Sequence, residues 1–163
     1  MRRTTTIAIS LLLLMAAAAA QITFNPKLYD PEANAKAEID KAVREAGREH
    51  KRILLVFGAN WCPDCHALDY RFHQEPIKAL VENNFIVVHV DTGEGEGRYA
   101  KNVDLAEQYQ IPLKKGIPAI AVLSERGRLL SSQRDGQFSS ARRLDPQQIV
   151  EFLNQWKPPK SST

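Results

Sequence analysis

The sequence predicts an α/β fold, a sandwich of helices around a mixed central sheet. Two observations carry that expectation. Strand-length apolar runs at residues 53–57 and 85–91 alternate with segments of helical periodicity, the pattern of parallel strands joined by helices. Two later strand candidates, residues 119–123 and 129–133, are separated only by the turn Glu125-Arg126-Gly127-Arg128 and so pair as an antiparallel hairpin. A helix–strand–helix–strand–helix order, then a hairpin and a closing helix, places parallel and antiparallel pairs in one sheet.

Residues 1–20 stand apart from that domain. Arg2 and Arg3 form a short positive head, residues 7–20 are apolar apart from Ser10, and Ala18-Ala19-Ala20 offers a small-residue cleavage site before Gln21. The layout predicts a cleaved secretory signal peptide. A retained membrane anchor is the weaker reading, because a stretch of fourteen residues falls short of the roughly 18 to 20 that a spanning helix needs. The Arg2-Arg3 pair is only a slight hint of twin-arginine export, and with no cysteine directly after the apolar stretch, lipid attachment there is excluded.

Residues 21–32 read as an N-terminal extension or edge strand, with Ile22-Thr23-Phe24 ended by Asn25-Pro26. The domain is expected over 33–157. Asp30-Pro31 reads as the N-cap and first residue of a helix whose apolar positions Ala35, Ile39, Ala42, Val43 and Ala46 run up to Gly47. Residues 52–57 form a strand whose unbroken apolar character implies burial on both faces. A helix opens at Cys62 with Pro63 in its first turn, where no N–H is needed, and buries Cys65, Leu68 and Phe72 until Glu75-Pro76 breaks or kinks it. A helical piece at 77–81 leads through Glu82-Asn83-Asn84 into a second buried strand, 85–91. The segment 92–97 is expected to be a flexible surface loop. Its alternate glycines do not make a phosphate site, because Glu94 and Glu96 would repel an anion. A short helix at 105–110 follows, and Gly116-Ile117-Pro118 leads into the hairpin. Asp145-Pro146 starts the last helix, with Ile149, Val150, Leu153 and Trp156 on one face, and Pro158-Pro159 ends it. The tail 158–163 is expected to be disordered.

The chemistry concentrates in Trp61-Cys62-Pro63-Asp64-Cys65, which holds both cysteines of the chain. A thiolate at a helix N-terminus faces unpaired backbone N–H groups and the positive end of the helix dipole. That lowers a cysteine pKa from about 8.5 toward neutrality and makes it a nucleophile. The second cysteine, three residues on, can close or open a disulfide with the first. As a structural staple the pair would be poor, since so short a loop removes little unfolded-state entropy. Without Arg2 and Arg3 the 22 basic residues become 20 against 19 acidic ones, a formal charge of +1. With no basic block and 7% aromatic residues, nothing suggests nucleic acid as a partner.

The strand-to-C-x-x-C arrangement, followed by Gly116-Ile117-Pro118 before another strand, resembles the thioredoxin superfamily over residues 33–156. The resemblance implies a thioredoxin-like three-layer sandwich. Residues 67–91 are similar to exported thioredoxin-like domains that include the C-terminal domain of the DsbD-type periplasmic reductase. The same pentapeptide occurs in a small cytosolic thioredoxin-related protein, so it specifies dithiol chemistry but not one substrate. By this resemblance Cys62, at the exposed start of the helix, attacks a substrate disulfide, and the more buried Cys65 resolves the mixed disulfide. Pro118 is expected to be cis, and Trp61, Pro63, Ile117 and Pro118 form the substrate-binding set. The backbone at Ile117 would pair with the substrate as an added strand. No cofactor or metal is implied. The partners would be disulfide-containing client proteins and an upstream dithiol donor, membrane-embedded or secreted. A monomer in the periplasm is expected, membrane-anchored if the signal is kept.

Two departures from the family pattern matter. The buried carboxylate that typical members carry six residues before the first cysteine is Val56 here, and the lysine that accompanies it aligns with Val87. The resolving proton of Cys65 must then be handled by Asp64, His66 or water, or the resolving step is slower. Asp64 also places negative charge beside Cys62, which opposes the dipole and limits the fall of its pKa. A less stabilised thiolate gives a more reducing couple. Between about −270 mV for thioredoxin and about −120 mV for DsbA, the thioredoxin side is expected, a reductase or isomerase rather than an oxidant.

Three other classes compete. Cys62-Pro63-Asp64-Cys65-His66 fits the haem attachment pattern C-x-x-C-H. Against it, both methionines lie in the signal segment, and a strand leading into the motif does not suit a small all-helical cytochrome. Two thiolates with His66 could hold copper or another metal for delivery, but no second cysteine pair exists to complete a structural zinc site. A thioredoxin-fold binding module without turnover is the third, and the two intact cysteines argue against it. His50 and His73 fall on helix surfaces, and Arg126, Arg128, Arg134, Arg142 and Arg143 read as a solvated face.

Overall fold

Alternation along one strand divides the core. The computed structural model describes residues 25–93, 95 and 98–159. The signal segment, the proposed edge strand at 22–24 and the tail residues 160–163 lie outside the described residues. In β1 (Arg52–Gly58), Ile53, Leu55 and Phe57 point to one face of the sheet, and Leu54 and Val56 to the other. The first set packs beneath α1 (Ala35–Glu49) and α4 (Val103–Gln108). The second packs against α2 (Pro63–Phe72), α3 (Ile77–Asn84) and α5 (Pro146–Trp156). The result is a three-layer sandwich with a mixed four-stranded sheet ordered β2-β1-β3-β4. Here β2 is Phe85–Asp91, β3 is Ala119–Leu123 and β4 is Leu129–Ser132. β1 pairs parallel with β2 and antiparallel with β3, and β3 pairs antiparallel with β4.

Several boundaries differ from the sequence expectation, each for a local reason. α1 starts at Ala35, not Pro31, because Asn34 caps it, accepting from the Ala37 N–H at 3.1 Å. Asp30 spends its carboxylate on a turn instead, accepting from the Glu32 N–H at 2.9 Å. The helix runs past Gly47 to Glu49 and stops at His50, which takes the left-handed conformation (φ 53°). Among the described residues β2 lies at the edge of the sheet, and it is buried on both faces only in part: Phe85, Val88 and Val90 are buried, while Ile86, Val87, His89 and Asp91 keep some exposure. α3 continues to Asn84, whose side-chain amide donates to the Leu80 carbonyl at 2.8 Å. The short helix after the glycine loop covers 103–108, not 105–110, and Gln110 turns out of it at φ 57°. The loop at 92–97 does not start on the surface, because Thr92 is buried and tied through both its N–H and its hydroxyl to the Gly58 carbonyl. Two 3₁₀ turns, Leu113–Lys115 and Ala141–Arg143, carry no periodicity that the sequence could have shown.

α5 closes the sheet as its signals imply. Pro146 sits at the first helical position and Asp145 with Gln148 forms a capping box. Ile149, Phe152 and Leu153 are buried, with Val150 and Trp156 packed at the margin of the same cluster. Among the described residues no helix is long and apolar enough to cross a membrane. α2 is held to the sheet through Leu68, which is fully buried in the cluster shared with Leu54, Val56 and α5. Leu68→Ala should therefore cost about 3 kcal/mol of stability, read as a lower urea midpoint with an unchanged denaturant slope.

Candidate active site

The central strand ends at Gly58, and four residues later the chain enters α2. Cys62 is the N-cap of α2: its sulfur accepts from the Cys65 N–H at 3.1 Å, and its carbonyl accepts from Cys65 and His66. Pro63 occupies the first turn and gives up no hydrogen bond there. Cys62 and Cys65 are joined in a disulfide, with their Cα atoms 5.3 Å apart. Both are buried, at 3% and 1% exposure, so in this oxidised state Cys62 is not the exposed residue the sequence suggested. The cover comes from the neighbouring loop, whose Ile117 carbonyl lies 3.6 Å from the Cys62 sulfur.

That loop is placed by the turn before β3. The Ile117–Pro118 peptide is cis, as is Glu75–Pro76 between α2 and α3. Gly116 precedes it at φ 101°, where a Cβ would come within 2.8 Å of Ser139 Cβ, so position 116 admits only glycine without a shift. Trp61 is partly buried and donates its indole N–H to the Gly93 carbonyl at 2.7 Å, fastening the residue before Cys62 to the end of β2. The structure thus brings Trp61, Cys62, Pro63, Cys65, Ile117 and Pro118 to one end of the sheet.

Asp64 and His66 are turned to other tasks. The Asp64 carboxylate accepts from the Arg142 backbone N–H at 2.8 Å and from its guanidinium at 3.1 Å, which ties α2 to the 3₁₀ turn before α5. The charge that sequence reasoning set against the helix dipole is therefore opposed by a cation, and Arg142 is not simply part of a solvated face. His66 Nε2 donates to the Asn60 carbonyl at 2.7 Å. Val56 is buried among apolar groups, and its neighbour across β2 is His89.

Sequence reasoning missed the group that fills the space behind Cys65. Tyr29, assigned only to an N-terminal extension, is fully buried and packed edge-on against His89, with ring centroids 5.2 Å apart. Asn60 clamps its backbone from both sides, accepting from the Tyr29 N–H at 2.9 Å and donating to its carbonyl at 2.6 Å. A Cβ on Gly58 would overlap the Tyr29 hydroxyl and stand 2.8 Å from the Cys65 sulfur. Burial pushes the Tyr29 hydroxyl pKa well above its ordinary value, and the negative charges of Asp69 and Asp91 push it further. Burial also lowers the pKa of His89, against the pull of Asp69, whose carboxylate lies 3.6 Å from His89 Nε2. The one signal in the sequence was a large aromatic residue in a short polar segment.

A buried disulfide-forming C-x-x-C pair at a helix N-terminus, beside a cis-proline loop on a mixed sheet, defines a thiol–disulfide oxidoreductase. The comparisons with known proteins agree. A thioredoxin-like family model matches residues 34–124, more than half of the chain, and the chain belongs to that family. A disulphide isomerase from Xylella fastidiosa Temecula1 is 36% identical, with a TM-score of 0.70 over 78% of this chain and 95% of that one. A thioredoxin from Thermus thermophilus shares the fold at 18% identity and a TM-score of 0.50, over 71% of this chain and 81% of its own. Probable nucleoredoxin 3 of Oryza sativa subsp. japonica is 27% identical over 97 residues, half of this chain but only 21% of that protein.

Arg142→Ala should leave the Asp64 charge uncompensated beside Cys62, raise the thiolate pKa and make the couple more reducing. The pair is partly exposed, so a shift of roughly 5 to 20 mV toward negative potential is expected, read by redox titration in glutathione and dithiothreitol buffers.

Proposed function

We propose that this chain is exported and reduces or isomerises disulfides in periplasmic client proteins. The observation that carries the reading is the Cys62–Cys65 disulfide at the N-terminus of α2, against the Ile117–Pro118 loop. In the reduced state the Cys62 thiolate attacks one sulfur of a client disulfide, forming a mixed disulfide and releasing the other client sulfur as a thiolate. Cys65, its proton lost to that departing thiolate, attacks the Cys62 sulfur. The intramolecular disulfide forms, the second client thiolate leaves, and two electrons have passed to the client. An extended client segment would lie along the partly exposed Trp61 and the exposed Pro63, over the buried Ile117–Pro118 loop.

No bound cofactor is needed for this exchange, so the electrons return through an upstream dithiol donor, secreted or membrane-embedded. The layout of residues 1–20 supports export to the periplasm, with a membrane tether if that segment is kept. The 36% identical Xylella protein, described as a disulphide isomerase, supports disulfide chemistry on proteins. The protein acts as a monomer on this reading.

Cys62→Ser should reduce disulfide reductase turnover to the uncatalysed rate, while Cys65→Ala should accumulate mixed disulfides. Those adducts, trapped in a periplasmic extract and resolved on non-reducing gels, would identify the clients. Retained turnover in Cys62→Ser would remove the assignment.

A further inference from the structure

Typical relatives place a buried carboxylate behind the resolving cysteine; here that position is Val56, apolar and buried. The space behind Cys65 is nevertheless not apolar throughout. The Tyr29 hydroxyl reaches into it from the segment before α1, and it has no hydrogen-bond partner among the described residues. A buried donor without a partner is costly and calls for a reason. The Cys65 sulfur borders the same space. A Cβ on Gly58 would stand 2.5 Å from Tyr29 Cζ and 2.8 Å from Cys65 Sγ, so hydroxyl and sulfur crowd the space of one methyl group. Glycine at 58, with no left-handed backbone to require it, is what leaves that space open.

We propose that the Tyr29 hydroxyl is the hydrogen-bond donor for the Cys65 sulfur in the reduced protein and stabilises its thiolate during the resolving attack. In the oxidised state the Cys65 sulfur is neutral and shares its electrons with Cys62, which leaves the hydroxyl unpaired. When the dithiol forms, the same sulfur becomes a thiol or thiolate and a far better acceptor. Tyr29 does not take the proton. Its environment holds it protonated, since burial and the charges of Asp69 and Asp91 oppose ionisation. The step balances without it: the Cys65 proton leaves to the first expelled client thiolate, and the Cys65–Cys62 bond replaces the Cys62–client bond. Tyr29 keeps its proton and lowers the energy of the developing charge. The groups that face its ring or set its field are His89 and Asp91 on β2 and Asp69 on α2, and Asn60 fixes its backbone.

This inference rests on Cys65 being the resolving thiol, and the test separates the two. The reduced chain is mixed with dithionitrobenzoate in a stopped-flow instrument. Attack by Cys62 releases one thionitrobenzoate in a phase that depends on reagent concentration. Resolution by Cys65 releases the second in a phase that does not. Tyr29→Phe keeps the ring and its packing on His89. It should leave the first phase within about twofold and slow the second by roughly tenfold to a hundredfold, the weight of a hydrogen bond to a charged group. The Cys65 pKa, followed by the ¹³Cβ shift, should rise by about one to two units. Difluorotyrosine installed at position 29, a stronger donor, should move both readouts the other way. It also serves if the phenylalanine variant does not fold. Equal slowing of both phases, or an unchanged second phase and Cys65 pKa, overturns the proposal. A wild-type protein with no second phase overturns it together with the role of Cys65.

Discussion

The site depends on the burial of β1. Residues 53–57 are at most 2% exposed, and each such side chain contributes about 1.5 to 3 kcal/mol relative to exposure. Summed, that is on the order of 10 kcal/mol, comparable with the net stability of a whole domain. The strand therefore cannot shift in register without unfolding the sheet, and its end at Gly58 is a fixed point. α2 hangs from that point through the short connection at 59–62 and is pinned to the sheet by Leu68. The disulfide is placed by these two constraints, which is why its sulfurs meet the Ile117 loop with little freedom.

The electrostatics of the site follow from what surrounds the helix terminus. The dipole of α2 favours negative charge at Cys62, Asp64 opposes it, and Arg142 offsets Asp64 from outside. Behind Cys65 the protein uses a neutral group. An ionised carboxylate in the apolar setting of Val56 would need a partner, because an isolated buried charge is strongly disfavoured. The ionisable groups lie instead along the α2–β2 margin, where Asp69 sits between His73 and His89. Replacing a buried carboxylate and lysine by Val56 and Val87 is thus consistent with moving charge outward while a phenol supplies the polar atom within.

Much of this architecture was legible in the sequence because it is written in local pattern. The apolar run at 53–57, the Asp145-Pro146 start of α5 and the Gly127 turn of the β3–β4 hairpin each state their structure within a few residues. So does Cys62-Pro63 at the head of α2. The edge position of β2 was less legible. Its composition resembles that of a central strand, and only the strand order, a long-range property, shows that among the described residues it pairs on one side alone. The same limit applies to Asp64 and Arg142, which are 78 residues apart and pair only because α2 packs on the turn before α5. No spacing rule connects them.

Tyr29 shows the limit most plainly. It lies outside every periodic segment, and nothing near it in sequence implies depth. Its burial comes from Asn60, 31 residues away, which satisfies both backbone groups and so allows a segment without secondary structure to enter the core. Gly58 completes the arrangement by omitting a side chain where the phenol must end. Three residues that look unremarkable singly, an extension tyrosine, a loop asparagine and a strand-end glycine, together set the surroundings of the resolving sulfur. A motif names the reacting atoms; the groups that tune them are chosen by packing, and packing is where the sequence alone falls silent.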